Sequence, residues 1–383
     1  MIAEAAKNVK KAAKRVRKKR MSKLEKTHVL EWFHSNTLHN SQFEDVDRLI
    51  ELKERQKLKV SVGIPTLNEE ENVANVISTI RHALYEKKHL VDEIAIIDSG
   101  SEDDTVAVAE KAGAQVIESE RHLREFGAFY GKGENLWKSL HVLRGDIICW
   151  IDADIKNIHP KYVYGLVGPL LHKKKIGYAR GFYRRPILYK GKVISYGGGR
   201  TTEIGIRPFL NLYFPELTGF IQPLCGQAAG RRSLLEKVPF FVGYGVEIGH
   251  LIDISQKFGL GSMVQVDLGE VEHAQQETAA LGRQAFSIMQ VFATRLGEKQ
   301  KASLLREFNT LFKFPEIKEV GEGKVEYFLN EKEIVERERP PIKSVPDYEL
   351  KKRMDNDLLS KMADFLRETR RRQKFPGIQD KKE

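Results

Sequence analysis

The sequence predicts an α/β fold, a mixed and mostly parallel sheet flanked by helices. Three observations carry this. Between residues 59 and 151, short aliphatic runs alternate with segments of helical apolar spacing, the rhythm of strand–helix–strand units with parallel strands. The run IICWI at 147–151 is apolar throughout, as a strand buried on both faces is. With 41% hydrophobic and 31% charged residues, the 383-residue chain can build a core for one large domain or two ordinary ones.

Taken in order, residues 1–20 are a basic extension, and 21–57 are a polar helical lead-in anchored by Trp32, Phe33, Leu38 and Phe43. The main domain spans 58–290. Its first strand, 59–65 (KVSVGIP), closes on Pro65. Thr66, Leu67, Asn68 and three glutamates follow, then Val73, Val76, Ile77, Ile80 and Leu84 at helical spacing. Acids at the start of that helix suit the positive end of its dipole. The second strand, 93–98 (EIAIID), runs into the cap cluster Ser99-Gly100-Ser101-Glu102-Asp103-Asp104 and a helix to Ala112. A third strand is 115–118 (QVIE). A helix begins at Lys132-Gly133 with Leu136, Leu140 and Leu143 on one face, and the strand at 147–151 stops at Asp152-Ala153-Asp154. The stretch 178–277, rich in glycine, arginine and aromatics, is expected to complete the sheet and the second half of a site. Residues 280–313 return to helical spacing. Residues 291–383 are expected to be a helical C-terminal region and tail, with Pro340-Pro341 and Pro346 marking a linker and one more helix over 347–373. Ligands of such sheets bind beyond the carboxyl ends of the strands, and those ends carry the polar clusters 65–69, 98–101 and 152–154.

The net charge of +11 is unevenly spread. Nine lysines and arginines in residues 1–20 face Glu4 alone, so this arm carries +8 and the other 363 residues +3. Three readings stay open for the arm: a solvated extension, a contact with RNA or an anionic surface, and Met21 as the true start of the protein. A nucleic-acid binder needs basic residues interleaved with aromatics on one face. Here the excess is terminal and lacks aromatics, so no nucleic-acid partner is expected. No run approaches the ~18 apolar residues of a membrane span, and no apolar signal core opens the chain. Cys149 and Cys225 are too few for a disulfide framework or a four-thiolate zinc site. The expected compartment is the cytoplasm, and the expected assembly a homodimer or higher homo-oligomer. Without GxGxxG after the first strand, a Walker A sequence or a nucleophile elbow, dinucleotide dehydrogenases, P-loop enzymes and Ser-His-Asp hydrolases are set aside.

Asp152 and Asp154, two residues apart at a strand end, lie on the same side of the chain, where they can hold a hard divalent cation against diphosphate oxygens. Gly197-Gly198-Gly199-Arg200-Thr201-Thr202 combines backbone N–H groups open to an anion, a guanidinium and two hydroxyls. A flexible hairpin tip is the plainer reading. Lys132, between two glycines at a helix start, is either a phosphate contact or a solvated loop lysine. Glu247 lies in Gly243-Tyr244-Gly245-Val246-Glu247-Ile248-Gly249, where small residues leave room for a ligand. His273 follows a strand-like run over 263–268. Taken alone it reads as a partly buried histidine bonded to a carbonyl, with metal ligation as the alternative.

The order Pro65-Thr66-Leu67-Asn68-Glu69-Glu70, Asp98-Ser99-Gly100-Ser101 and Asp-x-Asp resembles GT-A glycosyltransferases. Longer motifs narrow the resemblance. Gly131-Lys132-Gly133-Glu134-x-Leu136-Trp137, Phe182-Tyr183-Arg184-Arg185-Pro186, Gly198-Gly199-Arg200-Thr201-Thr202-Glu203, Gln222-Pro223-Leu224-x-Gly226 and the glycine-framed Glu247 segment resemble glucosyl-3-phosphoglycerate synthases, family 81 of the glycosyltransferases, over roughly residues 60–290. This resemblance implies a retaining transfer of glucose from a nucleotide-sugar, UDP-glucose foremost, to the 2-hydroxyl of 3-phosphoglycerate. Mg2+ would be the cofactor, with Mn2+ or another divalent cation as substitute. Asp152, Asp154 and His273 would serve the metal, which replaces the plainer reading of His273. Pro65, Leu67, Glu69, Ser99, Lys132 and Asp152 would hold the nucleotide, Glu247 the sugar hydroxyls, and Gly199, Arg200, Thr202 and Gln275 the acceptor. Asp154 and Glu247 would be the residues closest to the chemistry.

Two departures bear on these roles. After His273 the family tends to have Arg-Asn, where this chain has Ala274-Gln275, and it usually has Glu where this chain has Gln227. Retention proceeds through a protein nucleophile and two inversions or by same-face attack within an ion pair. Gln227 cannot be that nucleophile and Glu247 suits hydroxyl binding, so same-face attack is expected. GDP-mannose is the alternative donor. A membrane-linked polyprenyl-phosphate sugar transferase is the alternative enzyme, disfavoured by the lack of a membrane span.

Overall fold

The computed structural model describes residues 28–127, 129–184, 187–189, 192–194, 199–271, 278–300, 311–319, 325–345 and 348. A helix over 28–36 (α1) leads into β1 (Thr37–His39) and α2 (Val46–Gln56). The expected alternation follows as β2 (Val60–Thr66), α3 (Val73–Ile80), β3 (Glu93–Asp98), α4 (Thr105–Lys111), β4 (Gln115–Glu118), α5 (Lys132–Val142), β5 (Ile147–Trp150) and α6 (Lys161–His172). The second half supplies β6 (Tyr178–Arg184), β7 (Ile187–Tyr189), β8 (Lys192–Ile194), α7 (Arg207–Tyr213), β9 (Ala228–Arg231), α8 (Arg232–Leu235), β10 (Phe240–Phe241), α9 (Val246–Phe258), β11 (Met263–Glu270) and α10 (Thr278–Gln300). Beyond it lie β12 (Leu311–Glu319), β13 (Val325–Glu333) and β14 (Glu338–Arg339).

The main sheet has eight strands in the order β1-β11-β6-β9-β5-β2-β3-β4. All neighbours are parallel except β9, which runs antiparallel to both β5 and β6. The central strands are apolar on both faces because helices cover both. Leu49, Leu52, Val76, Ile77, Tyr162 and Leu166 pack on one side, and Leu136, Trp137, Ile248, Leu251, Val291 and Phe292 on the other. Each such side chain contributes roughly 1.5–3 kcal/mol by leaving water.

This topology positions the site. From β2 the chain steps outward to β3 and β4, then returns to place β5 on the opposite side of β2. The crevice at the carboxyl ends of β2 and β5 is therefore the switch point where open α/β sheets bind ligands. The antiparallel direction of β9 brings its first residues to the same edge, with Ala228 opposite Trp150.

Three expectations change. The lead-in is not purely helical: Thr37–His39 forms the edge strand, parallel to β11. It is held there by Gln265 Nε2 donating to Thr37 Oγ1 (2.9 Å), while Trp32 Nε1 donates to the Met263 carbonyl (3.0 Å). The boundary expected at 290 falls inside α10. The C-terminal region is not uniformly helical, since β12 and β13 form an antiparallel hairpin from Leu311↔Glu333 to Glu319↔Val325. Val325, Tyr327 and Leu329 alternate at period two, which a helix would scatter around its circumference. The basic arm and most of the stretch 347–373 lie outside the described residues. Among the described residues, no helix is long and apolar enough to cross a membrane.

Candidate active site

The loop leaving β2 is braced against the loop leaving β3. Asn68 takes a left-handed turn (φ 55°), which asparagine tolerates better than most residues. Its N–H donates to Ser101 Oγ (2.9 Å), and its side-chain oxygen accepts from Glu102 N–H (2.9 Å). Glu69 N–H donates to Thr105 Oγ1 (2.7 Å). Asp98 accepts from the N–H groups of Gly100 and Ser101 (2.9 Å each), from Ser101 Oγ (2.6 Å) and from Thr66 Oγ1 (3.1 Å). A carboxylate with four donors organises the loop. Ser99 is buried there, with its N–H donating to the Thr66 carbonyl (3.1 Å). Pro65 pairs with Ile97 across β2 and β3, and Leu67 stands half exposed on the open lip.

Charge converges on Lys132. The flanking glycines let the start of α5 press against the segment before α9. A Cβ at Gly131, which has φ 140°, would come within 2.7 Å of the Val242 carbonyl oxygen, and one at Gly133 would collide with that of Phe241. Glu134 N–H donates to the Val242 oxygen (2.9 Å). In this position Lys132 Nζ lies 2.5 Å from Asp152 Oδ1 and 3.1 Å from Glu247 Oε1. Burial alone would lower its affinity for the proton, but the two carboxylates override this and hold the ammonium well above the ordinary lysine range. Gln227 Nε2 donates to Asp152 Oδ2 (2.9 Å), and Gln227 Oε1 accepts from Cys225 Sγ (3.1 Å), so both ends of the amide are engaged. Gly226 is a steric requirement: a Cβ there would strike the Asp152 carboxylate and the Lys132 ammonium.

Asp154 is exposed, two residues beyond Asp152. Burial first, then the charges of Asp154, Asp152 and Asp103, push Glu69 up to about 7. Crowded carboxylates supplying hard oxygen donors fit a divalent cation, which Mg2+ meets with one or two protein carboxylates plus phosphate and water. His273, the expected third ligand, lies outside the described residues, as does Gln275. Among the described residues, no group of three or more His, Cys, Asp or Glu could hold a metal ion by itself.

The other predicted segment stands at the start of a π-helical turn over Thr201–Ile206, with Gly199 at φ 83°, Arg200 exposed and Thr202 buried. Arg207 pairs with Glu203 (2.6 Å) and donates to the carbonyls of Phe220 (3.3 Å) and Ile221 (2.9 Å). This fastens the turn to the segment 220–227, which ends at Gln227 against Asp152. The structure thus brings Lys132, Asp152 and Glu247 into direct contact, with Glu69 and Asp154 beside them. Gly199, Arg200 and Thr202 connect to that centre indirectly, through the Arg207 side chain and the segment 220–227. Sequence reasoning missed Asp98 as the loop organiser. Arg180, one of the arginines whose density between 180 and 232 suggests an anionic substrate, is instead a fully buried guanidinium donating to the Cys225 carbonyl (2.5 Å) and the Glu247 carbonyl (3.0 Å).

Residues 61–239 match the family model described as Glycosyl transferase family 2. The glucosyl-3-phosphoglycerate synthase of Petrotoga mobilis is 49% identical over 315 residues, covering 82% of this chain and 95% of that protein. The chain belongs to the glucosyl-3-phosphoglycerate synthase family. It is a hexosyltransferase of GT-A fold, as its sequence motifs imply. Two solved structures resemble it along most of its length. The mannosyl-3-phosphoglycerate synthase of Rubrobacter xylanophilus superposes with a TM-score of 0.73 at 35% identity, covering 82% of this chain and 97% of that one. The glucosyl-3-phosphoglycerate synthase of Mycobacterium tuberculosis, solved with Mn2+, UDP-glucose and phosphoglyceric acid, gives 0.63 at 36% identity, covering 77% and 93%.

Proposed function

We propose that this member of the glucosyl-3-phosphoglycerate synthase family transfers glucose from UDP-glucose to the 2-hydroxyl of 3-phosphoglycerate, with retention and with a divalent cation. The observation that carries the reading is the ammonium of Lys132 bridging Asp152 and Glu247 at the switch point of the sheet. It joins a residue suited to the diphosphate with one suited to the sugar. Asp152 and Asp154 would hold the cation, with His273 completing the set. When bound, the cation neutralises charge building on the departing diphosphate. Lys132 adds a second positive charge there in a site largely screened from water, where preorganised charge is most effective. Pro65, Leu67, Glu69 and Ser99 would line the nucleotide. Glu247, 7% exposed and backed by Arg180 on its carbonyl, would accept hydrogen bonds from the sugar hydroxyls. Gly199, Arg200, Thr202 and Gln275 would take the phosphate and carboxylate of the acceptor, a guanidinium being the group that grips such oxygens in pairs. Gln227 is an amide with both ends engaged, and Glu247 is spent on Lys132 and the sugar, which supports same-face attack over a covalent glycosyl-enzyme.

The likeness to the Rubrobacter xylanophilus enzyme supports a second reading, GDP-mannose as donor. Purified protein with 3-phosphoglycerate and each of UDP-glucose, GDP-glucose and GDP-mannose, with and without Mg2+, separates the two. Turnover is expected foremost with UDP-glucose and only with the cation, and no turnover with any donor refutes the synthase reading.

A further inference from the structure

The stretch from Ile334 to Val345 lies well beyond the region matched by the glycosyltransferase family model, yet it returns to the site. β14 pairs antiparallel with β10, Phe240 opposite Arg339 and Phe241 opposite Glu338, immediately before the Gly243–Glu247 turn. The Arg337 carbonyl extends this pairing by accepting from Val242 N–H (3.0 Å).

Two side chains three residues apart then reach in different directions. Arg339, 5% exposed, pairs in bidentate fashion with the fully buried Glu134 (2.8 Å for both bonds). It also donates to the carbonyls of Phe126 and Gly127, with its guanidinium against the rings of Phe129 and Trp137. Trp137 Nε1 donates to the next carbonyl, that of Pro340 (2.9 Å). Arg339 therefore grips the first turn of α5 and the loop that leads to it. Glu336 faces the other way. Its carboxylate accepts from Gly243 N–H (3.1 Å), in the turn that opens α9, and from Ser287 Oγ on α10. Its own N–H donates to Gln290 Oε1 (2.8 Å) on α10.

Lys132 begins α5 and Glu247 lies in the first turn of α9. Their contact depends on how those two helix starts are spaced, and the segment from Glu336 to Arg339 is bonded to both. We propose that this segment is a positioning strap for the donor pocket, in which Arg339 and Glu336 set the spacing of Lys132 and Glu247 and thereby the affinity for the nucleotide-sugar. Neither residue touches substrate. The inference rests on the reading of Lys132 and Glu247 as donor-binding residues.

The test uses the full-length chain and measures the KM for UDP-glucose and for 3-phosphoglycerate separately, together with the Tm and the UDP-glucose dissociation constant by calorimetry with Mg2+. Arg339→Met is expected to raise the donor KM and dissociation constant on the order of tenfold and to leave the acceptor KM within about twofold. Arg339→Lys keeps the charge but not the fork that matches Glu134, and is expected to fall between. Glu336→Ala is expected to give the same donor-selective change, and decides the matter if Arg339→Met does not fold. A purely structural role would lower the Tm and the active fraction, scaling kcat with both KM values unchanged. That result, or an unchanged donor constant in folded variants of an active wild type, overturns the strap alone. A wild type that neither binds nor turns over UDP-glucose overturns the proposed function, and the strap with it.

Discussion

Lys132→Met removes one ammonium and leaves two carboxylates facing the gap. At 2.5 and 3.1 Å, each contact is worth about 6 kcal/mol of raw Coulomb energy at an effective dielectric near 20. Desolvation of the three groups offsets most of this, and removing one partner of a buried pair costs about 3–5 kcal/mol net. The Lys132 side chain retains 18% exposure, which places the cost at the low end, about 3 kcal/mol. In the proposed function the same charge would face the departing diphosphate, and loss of one such preorganised group typically slows the chemical step by about 10²–10³-fold. Initial rates of UDP release with saturating 3-phosphoglycerate and Mg2+ are therefore expected to show kcat/KM for UDP-glucose at least about 10²-fold down. A folded variant within about threefold of wild type would refute the role given to the bridge.

Gly226→Ala drives a methyl group into Asp152 and Lys132, and is expected to cut turnover about 10²-fold while lowering stability by about 1–3 kcal/mol, read by activity and thermal melts. Arg200→Ala is expected to raise the 3-phosphoglycerate KM about tenfold or more with little change in donor KM, since it removes one charged, bidentate donor. Burial first, with the Gly243 and Gly245 N–H bonds opposing and the charge of Glu247 adding, pushes Glu336 up to about 7 from an ordinary 4.5. The folded state thus holds a proton that the unfolded chain releases, so this contribution to stability is full below pH 4.5 and is lost as pH rises through 7. It amounts to on the order of 3 kcal/mol. The Tm is expected to fall between pH 5 and 8, and Glu336→Gln to flatten that slope.

The strands at the centre of the sheet were legible because burial on both faces leaves a local signature. VSVGIP, EIAIID and IICW are apolar runs closed by polar turns, and β2, β3 and β5 lie within one residue of where those runs placed them. Lys132, Asp152 and Glu247 each stood out by a glycine or strand-end setting that left a plainer reading open beside the functional one, and their meeting was not legible. Helix α6 gave no stripe because Tyr162 through Leu171 is buried on every side, so apolar residues recur without a period. β1 and β9 are three and four residues long, too short to carry alternation. The strap was illegible for a different reason. Arg339 meets Glu134 across 205 positions, and neither residue differs in local context from an ordinary surface charge. Pairing at that separation is decided by topology, and Pro340-Pro341 next to it reads as a linker. The hairpin at 311–333 was missed where a charged composition masked the alternation of Val325, Tyr327 and Leu329.

The most direct measurement is the proton NMR spectrum of the product formed from UDP-glucose, 3-phosphoglycerate and Mg2+. An α-anomeric glucose on the glycerate 2-hydroxyl, with the phosphate still in place, is the expected result. A β-anomer, attachment elsewhere, or unreacted acceptor would contradict retention by same-face transfer at the Lys132–Asp152–Glu247 centre.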